Sequence, residues 1–281
     1  MTATIRSSAV GTRVMGIVNV TPDSFSDGGR WVGDEAALAQ ALRLIEQGAD
    51  SLDIGGESTR PGAEPVSVAD EIARTAPVIA AIRARWAGPI SIDTMKPQVA
   101  RAAVAAGATM WNDVAGLAFS PDSLATAADL GCEVVIMHMK GEPRTMQTQP
   151  EYRDVVAEVV GWLSERAEAA MAAGVARDKI WLDPGIGFGK TLAHNLALTA
   201  HLDQLIGLGF PVLYAASRKR TIAAIDPSAS DPADRLGGSV ALALEGARRG
   251  AKMVRVHDVR ETVQALKVWE AVEAAGGATG D

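Results

Sequence analysis

The chain has 281 residues, 48% of them hydrophobic and 22% charged, which is enough apolar material for a packed core without staples, and its single cysteine excludes an internal disulfide and any multi-cysteine zinc site. A net charge of −7 argues against a nucleic-acid surface. No apolar run approaches the about 20 residues that cross a bilayer, and the opening MTATIRSSAVGTR lacks the apolar core of a secretory signal, so the cytoplasm is the expected location.

From end to end, short apolar runs alternate with long Ala- and Leu-rich segments. The first run, Val14–Val20, has the character of a strand buried on both faces, and it leads through Asn19 into a polar loop ending in Gly28-Gly29. The others are Ser51–Gly55, Ile90–Asp93, Met110–Val114, Glu133–His138, Ile180–Asp183, Pro211–Ser217 and Met253–His257. Helical spacing fills the intervals, as at Asp34–Gln47, Val68–Trp86, Pro97–Ala106 and Glu151–Ala173. Gly48, Gly107, Gly131 and Gly250 each stand between a helical segment and the next strand, where glycine ends a helix in the left-handed conformation without steric cost.

Eight strands alternating with helices predict a single closed (β/α)8 barrel, a TIM barrel, over residues 12–275, with flexible tails at 1–11 and 276–281. An open doubly wound sheet is the competing architecture. Active sites of such barrels lie at the C-terminal ends of the strands. Here those ends are Asn19, Asp53, Asp93, Asn112 with Asp113, His138, Asp183, Ser217, and Arg255 with His257. A single polar strand end is usually a structural hydrogen-bonder, but eight at one mouth describe a pocket. Asp93, Asp183 and Asn112 suit a flat, nitrogen-rich heterocycle, whose amino-pyrimidine edge can give a carboxylate two N–H bonds. Arg218, Lys219, Arg220, Arg255 and His257 collect positive charge on the other side, as a phosphate or diphosphate requires.

Gly185-Ile186-Gly187-Phe188-Gly189-Lys190-Thr191 resembles a P-loop but has Pro184 where its first glycine belongs, so it reads as a loop between strand and helix. His138, His194 and His201 lack zinc-site spacing, and His194 and His201 read as structural. The loops Asp23–Gly33 and Glu57–Pro65 are long and glycine-rich, as lids are.

These stretches resemble the dihydropteroate synthase family. The matching pieces are MGIVNVTPDSFSDGG from Met15, LDIGGESTRPGA from Leu52, SIDTMK from Ser91, NDV from Asn112, MHMKGEPRTMQ from Met137, LDPGIGFGKT from Leu182, SRK from Ser217 and VRVHDV from Val254, in the family's order. The resemblance implies a barrel that joins 6-hydroxymethyl-7,8-dihydropterin diphosphate to p-aminobenzoate, releasing diphosphate, with Mg2+ as cofactor and a homodimer as the assembly. Carried over, Asp93, Asn112, Asp183 and Lys219 hold the pterin, Met137 and Phe188 line its slot, and Asn19 coordinates Mg2+ with the diphosphate. Thr59, Arg255 and His257 bind the diphosphate, while Phe25, Arg60 and Pro61 complete the p-aminobenzoate site. Asp93, Lys219, Arg255 and His257 are the catalytic set.

The chain departs from the family at Arg220, Ala215 and Thr221, which stand where serine, glycine and a large apolar residue are common, so the carboxylate of p-aminobenzoate has Ser217, Arg220 or a helix N-terminus as candidate partners. Competing readings are a methyltetrahydrofolate-binding methyltransferase on the same barrel, a Schiff-base aldolase using Lys219, and a pterin-binding module without turnover.

Overall fold

A computed structural model describes residues 11–20, 29–58, 64–141, 146 and 150–277. Among them are eight parallel strands: β1 (Arg13–Asn19), β2 (Ser51–Gly55), β3 (Ile90–Asp93), β4 (Met110–Asp113), β5 (Glu133–Met137), β6 (Ile180–Asp183), β7 (Leu213–Tyr214) and β8 (Met253–Val256). The helices are α1 (Gly29–Glu46), α2 (Val68–Arg83), α3 (Pro97–Ala105), α4 (Ser123–Leu130), α5 (Val155–Ala172), α6 (Leu192–Ala200), α7 (Leu202–Ile206), α8 (Arg220–Ile225), α9 (Leu236–Arg248) and α10 (Val259–Gly277). Hydrogen bonding orders the strands β6-β5-β4-β3-β2-β1-β8-β7, and a parallel bridge between Leu182 and Val212 closes the ring. The expected (β/α)8 barrel is therefore the observed one, and the open sheet is excluded.

Strand parity divides the core in two. Val14, Val18, Leu52, Ile54, Ile90, Ile92, Trp111, Val134, Ile136, Leu182 and Val254 face outward and pack against the helices. Residues of the other parity point to the axis, where Met15, Met110, Val135, Trp181, Leu213 and Met253 form a separate buried cluster that plugs the barrel. Continuing the inward parity to the strand ends delivers polar groups into the mouth above that plug.

Helix ends follow local chemistry. Ser67 caps α2 by accepting from Asp70 N, and Asp154 caps α5 by accepting from Val156 N and Ala157 N. Thr191 and His194 form a reciprocal capping box on α6, the structural role expected for His194. The glycine stops have positive φ, 99° at Gly48, 116° at Gly107, 59° at Gly131 and 102° at Gly250.

Several boundaries differ from expectation. α1 begins at Gly29, five residues before Asp34, which shortens the first loop. α10 continues through Gly276 into the expected tail. β7 keeps two of its seven expected residues. Cys132 is partly buried. No described helix is long and apolar enough to cross a membrane.

Candidate active site

The mouth is organised around an ion triad. Arg255, from β8, places Nε 2.5 Å from Asp53 Oδ2 and Nη2 2.6 Å from Asp93 Oδ2. Asp53 Oδ2 also accepts from Asn112 Nδ2 at 3.0 Å, so one buried carboxylate orients both the amide and the guanidinium. Asp53 Oδ1 and Asp93 Oδ1 are buried and accept no hydrogen bond from any of the described residues. Acceptors so placed cost about 1–3 kcal/mol each unless donors reach them, which marks them as groups for N–H donors of a substrate. The turn after Asp93 is held by Trp111 Nε1, which donates to Thr94 O at 2.7 Å.

Burial sets the charges. It pushes the Asp93 carboxyl up to about 7; Arg255 opposes the shift and Asp53 adds to it. Asp183 is likewise raised by burial, against the pull of Lys219. Burial lowers Lys219 to about 8, with Asp183 resisting. For Arg255 burial disfavours the charge, but Asp53 and Asp93 outweigh it and the guanidinium stays ionised.

The loop after β6 forms the opposite wall. Asp183 Oδ1 accepts from Gly185 N at 2.6 Å. Lys219 Nζ donates to Ile186 O and stands 4.7 Å from the centre of the Phe188 ring, a cation–π contact. Lys190, the lysine of the P-loop-like stretch, is buried beneath this loop. Its ammonium reaches Gly185 O and Phe188 O at 3.0 Å, His138 O at 3.2 Å and His138 Nδ1 at 3.0 Å. Burial and Lys190 hold His138 down to about 3, so its imidazole is neutral and Nδ1 can accept. The stretch is thus a loop between strand and helix, stapled from below.

Ser217 Oγ lies 3.1 Å from His257 Nδ1 and accepts from His257 N at 3.2 Å, fixing the imidazole at the end of β8. Met137 is buried at the end of β5. Arg218 departs from the expected cation cluster, because its guanidinium is taken by Asp258 at 3.0 and 2.5 Å. Arg220 is exposed on the first turn of α8.

Asn19 ends β1 beside the bare backbone of Gly55. A Cβ at Gly55 would lie 3.8 Å from both Asn19 Oδ1 and Asp93 Oδ2. Both are hard oxygen donors, the kind taken by an ion that fills the rest of its sphere with water and phosphate oxygens. Mg2+ has that chemistry.

The structure therefore brings together Asn19, Asp93, Asn112, Met137, Asp183, Phe188, Ser217, Lys219, Arg255 and His257 at one end of the barrel. Phe25, Thr59, Arg60 and Pro61 lie outside the described residues. Asp53 was visible as a strand end, but only its inward parity marks it as the hub. Lys96 ends the SIDTMK piece but had no assigned role: its buried ammonium binds Glu57, Glu71 Oε2 at 2.6 Å and Val66 O at 2.7 Å, tying residues 57 and 66 to the start of α3.

The barrel mouth pairs buried acids with cations on both walls, Asp53 and Asp93 with Arg255 and Asp183 with Lys219, and residues 15–257 match the family described as pterin binding enzyme. The chain is 50% identical over 267 residues to dihydropteroate synthase of Neisseria meningitidis serogroup B, with 92% of each covered. Among solved structures, Xanthomonas albilineans dihydropteroate synthase with 4-aminobenzoic acid superposes with a TM-score of 0.88 at 54% identity, covering 94% of both chains. The same enzyme in complex with 7,8-dihydropteroate gives 0.85 at 52% identity, with the same coverage. The chain belongs to the dihydropteroate synthase family.

Proposed function

We propose that the chain condenses 6-hydroxymethyl-7,8-dihydropterin diphosphate with p-aminobenzoate to give 7,8-dihydropteroate and diphosphate. The observation that carries this reading is the pair of buried carboxylate oxygens, Asp53 Oδ1 and Asp93 Oδ1, which have no hydrogen-bond partner among the described residues and face a mouth that also holds Asn112, Asp183 and Lys219. Relatives solved with 4-aminobenzoic acid and with 7,8-dihydropteroate support it. Neither lends weight to the methyltransferase alternative.

In this reading Asp183 and Asn112 receive the amino-pyrimidine edge of the pterin, with Met137 and Phe188 against its faces and Lys219 at its rim. The methylene carbon–oxygen bond breaks with its electron pair leaving on the diphosphate. Positive charge develops on the pterin methylene and ring, where ionised Asp93 stabilises it. Arg255 and His257 receive the departing negative charge; such preorganised groups contribute several kcal/mol in a water-poor site. The amine of p-aminobenzoate then attacks the methylene carbon and loses a proton. Asn19 Oδ1 would hold Mg2+, whose chemistry when bound is to neutralise charge on the diphosphate. Thr59 is assigned to the diphosphate and Phe25, Arg60 and Pro61 to p-aminobenzoate, with Ser217 and Arg220 as candidates for its carboxylate. Cytoplasmic location and a homodimer complete the reading.

Diphosphate release, measured with both substrates and Mg2+, tests it. Release is expected to depend on p-aminobenzoate and to match dihydropteroate formed one to one. Release at the same rate without the amine, or none at all, would overturn the assignment.

A further inference from the structure

Lys219 meets its surroundings across the thinnest seam of the barrel. Its backbone stands at the start of α8, after β7, while its side chain runs over the loop after β6: a Cβ at Gly187 would lie 3.2 Å from Lys219 Cδ, and Nζ reaches Ile186 O. Strands β6 and β7 meet through the isolated Leu182–Val212 bridge, with a bond from Leu182 N to Pro211 O, and not through a continuous ladder, so strand pairing alone fixes the spacing of these two segments weakly.

One buried side chain spans them. Asn195, on α6, accepts from Gly187 N through Oδ1 at 2.8 Å and donates from Nδ2 to Thr221 Oγ1 at 3.2 Å. The Gly187 N–H can only donate, which sets the orientation of the carboxamide and leaves its NH2 group for the hydroxyl. One bond therefore holds the loop under the lysine side chain, and the other holds the helical turn that begins beside the lysine backbone. Asn195 and Thr221 are both buried, where a lost partner is not replaced freely by water.

We infer that Asn195 is a positioning residue that sets the placement of the Lys219 ammonium in the pterin subsite, an inference that rests on the pterin-holding role proposed for Lys219. It touches no substrate. Its effect is on pterin affinity, exerted through Gly187 and Thr221.

The test compares Asn195→Ala, Asn195→Asp and Thr221→Val with the full-length wild type, using pterin diphosphate as titrant and both substrates for turnover. Asn195→Ala is expected to raise the Kd and KM for pterin diphosphate about tenfold while kcat stays within twofold. Asn195→Asp, which can accept from Gly187 N and from a reoriented Thr221 hydroxyl, restores most of that affinity. Thr221→Val, which removes one of the two bonds, falls between. In the double variant Asn195→Ala/Thr221→Val the loss equals that of Asn195→Ala alone, because the Thr221 contribution runs through Asn195. A folded Asn195→Ala protein with a lower Tm but wild-type Kd and KM would overturn the inference; if that variant does not fold, an unchanged Kd in Thr221→Val overturns it. Failure of the wild type itself to bind pterin diphosphate would instead overturn the functional reading and the inference with it.

Discussion

Asp93 faces two demands that pull its proton in opposite directions. Burial and the neighbouring Asp53 carboxylate favour the acid, while Arg255 favours the carboxylate, and the group is pushed up to about 7. Only the ionised form can stabilise a cationic pterin. The sign follows directly: as pH falls through about 7 the carboxyl takes up its proton, and kcat/KM for the pterin substrate falls with it. Asp53→Asn removes one of the charges that raise Asp93, so the acid limb should move to lower pH in the variant. Carbon-13 NMR of the aspartate carboxyls in metal-free protein, with Asp93→Asn to assign the signal, reads the same shift without substrate. A limb and a signal that stay put would show that Asp53 does not act on Asp93. On the plateau kcat/KM should drop tenfold or more, since the hydrogen bonds to Arg255 and Asn112 lose their charged acceptor and such bonds contribute about 1.5–3 kcal/mol each.

The loop after β6 shows how an element builds a site from backbone. Gly185, Gly187 and Gly189 have φ of 68°, 85° and 62°, which lets successive carbonyls turn toward Lys190 below and Lys219 above. A Cβ at Gly185 would stand 1.9 Å from His138 O, backbone that cannot yield, whereas a Cβ at Gly131 meets nothing within 4 Å. Both glycines have positive φ, so alanine at either bears about 1–2 kcal/mol of conformational cost. Gly185→Ala adds an overpacking cost of about 1–3 kcal/mol and displaces the loop. Thermal melts should therefore show a Tm loss at least twice as large for Gly185→Ala as for Gly131→Ala, with pterin binding lost only in the former. Equal Tm losses would mean that the loop relaxes around the clash. Strands at Ser51–Gly55, Ile90–Asp93 and Ile180–Asp183 were legible to the residue, because apolar runs between glycine stops and polar ends have few other readings. The polar strand ends, and so most of the site, were legible for the same reason. β7 was not: Pro211 has no N–H to give a ladder, and after Tyr214 the chain leaves strand pairing for the turn at Ser217 and Arg218. Nor could sequence reveal that Arg218 is spent on Asp258 or that Lys190 turns down to carbonyls, since each depends on a partner far along the chain.

At the scale of the whole barrel, closure and binding meet at one place. Seven of the eight neighbouring strand pairs are laddered, whereas β6 and β7 share the Leu182–Val212 bridge and a bond from Leu182 N to Pro211 O at 3.0 Å. Below this seam the axial plug holds the wall through Trp181 and Leu213, and above it Lys219 and Asn195 cross from one side to the other. A substrate held by Asp183 on β6 and Lys219 after β7, the roles proposed for them, would add a further crossing. Local opening of such a seam costs less than global unfolding, and ligand that binds only the closed form suppresses it by mass action. Amide exchange in the unliganded protein should therefore be faster across Leu213–Ser217 than across β2 or β3. Pterin diphosphate at about 100 times its Kd should slow the seam by up to about 100-fold, matching the about 2.7 kcal/mol of linkage, while β2 and β3 gain less than the seam if opening is local. Uniform protection of all eight strands would instead mean that the barrel opens as one unit, leaving the seam without a separate role in binding.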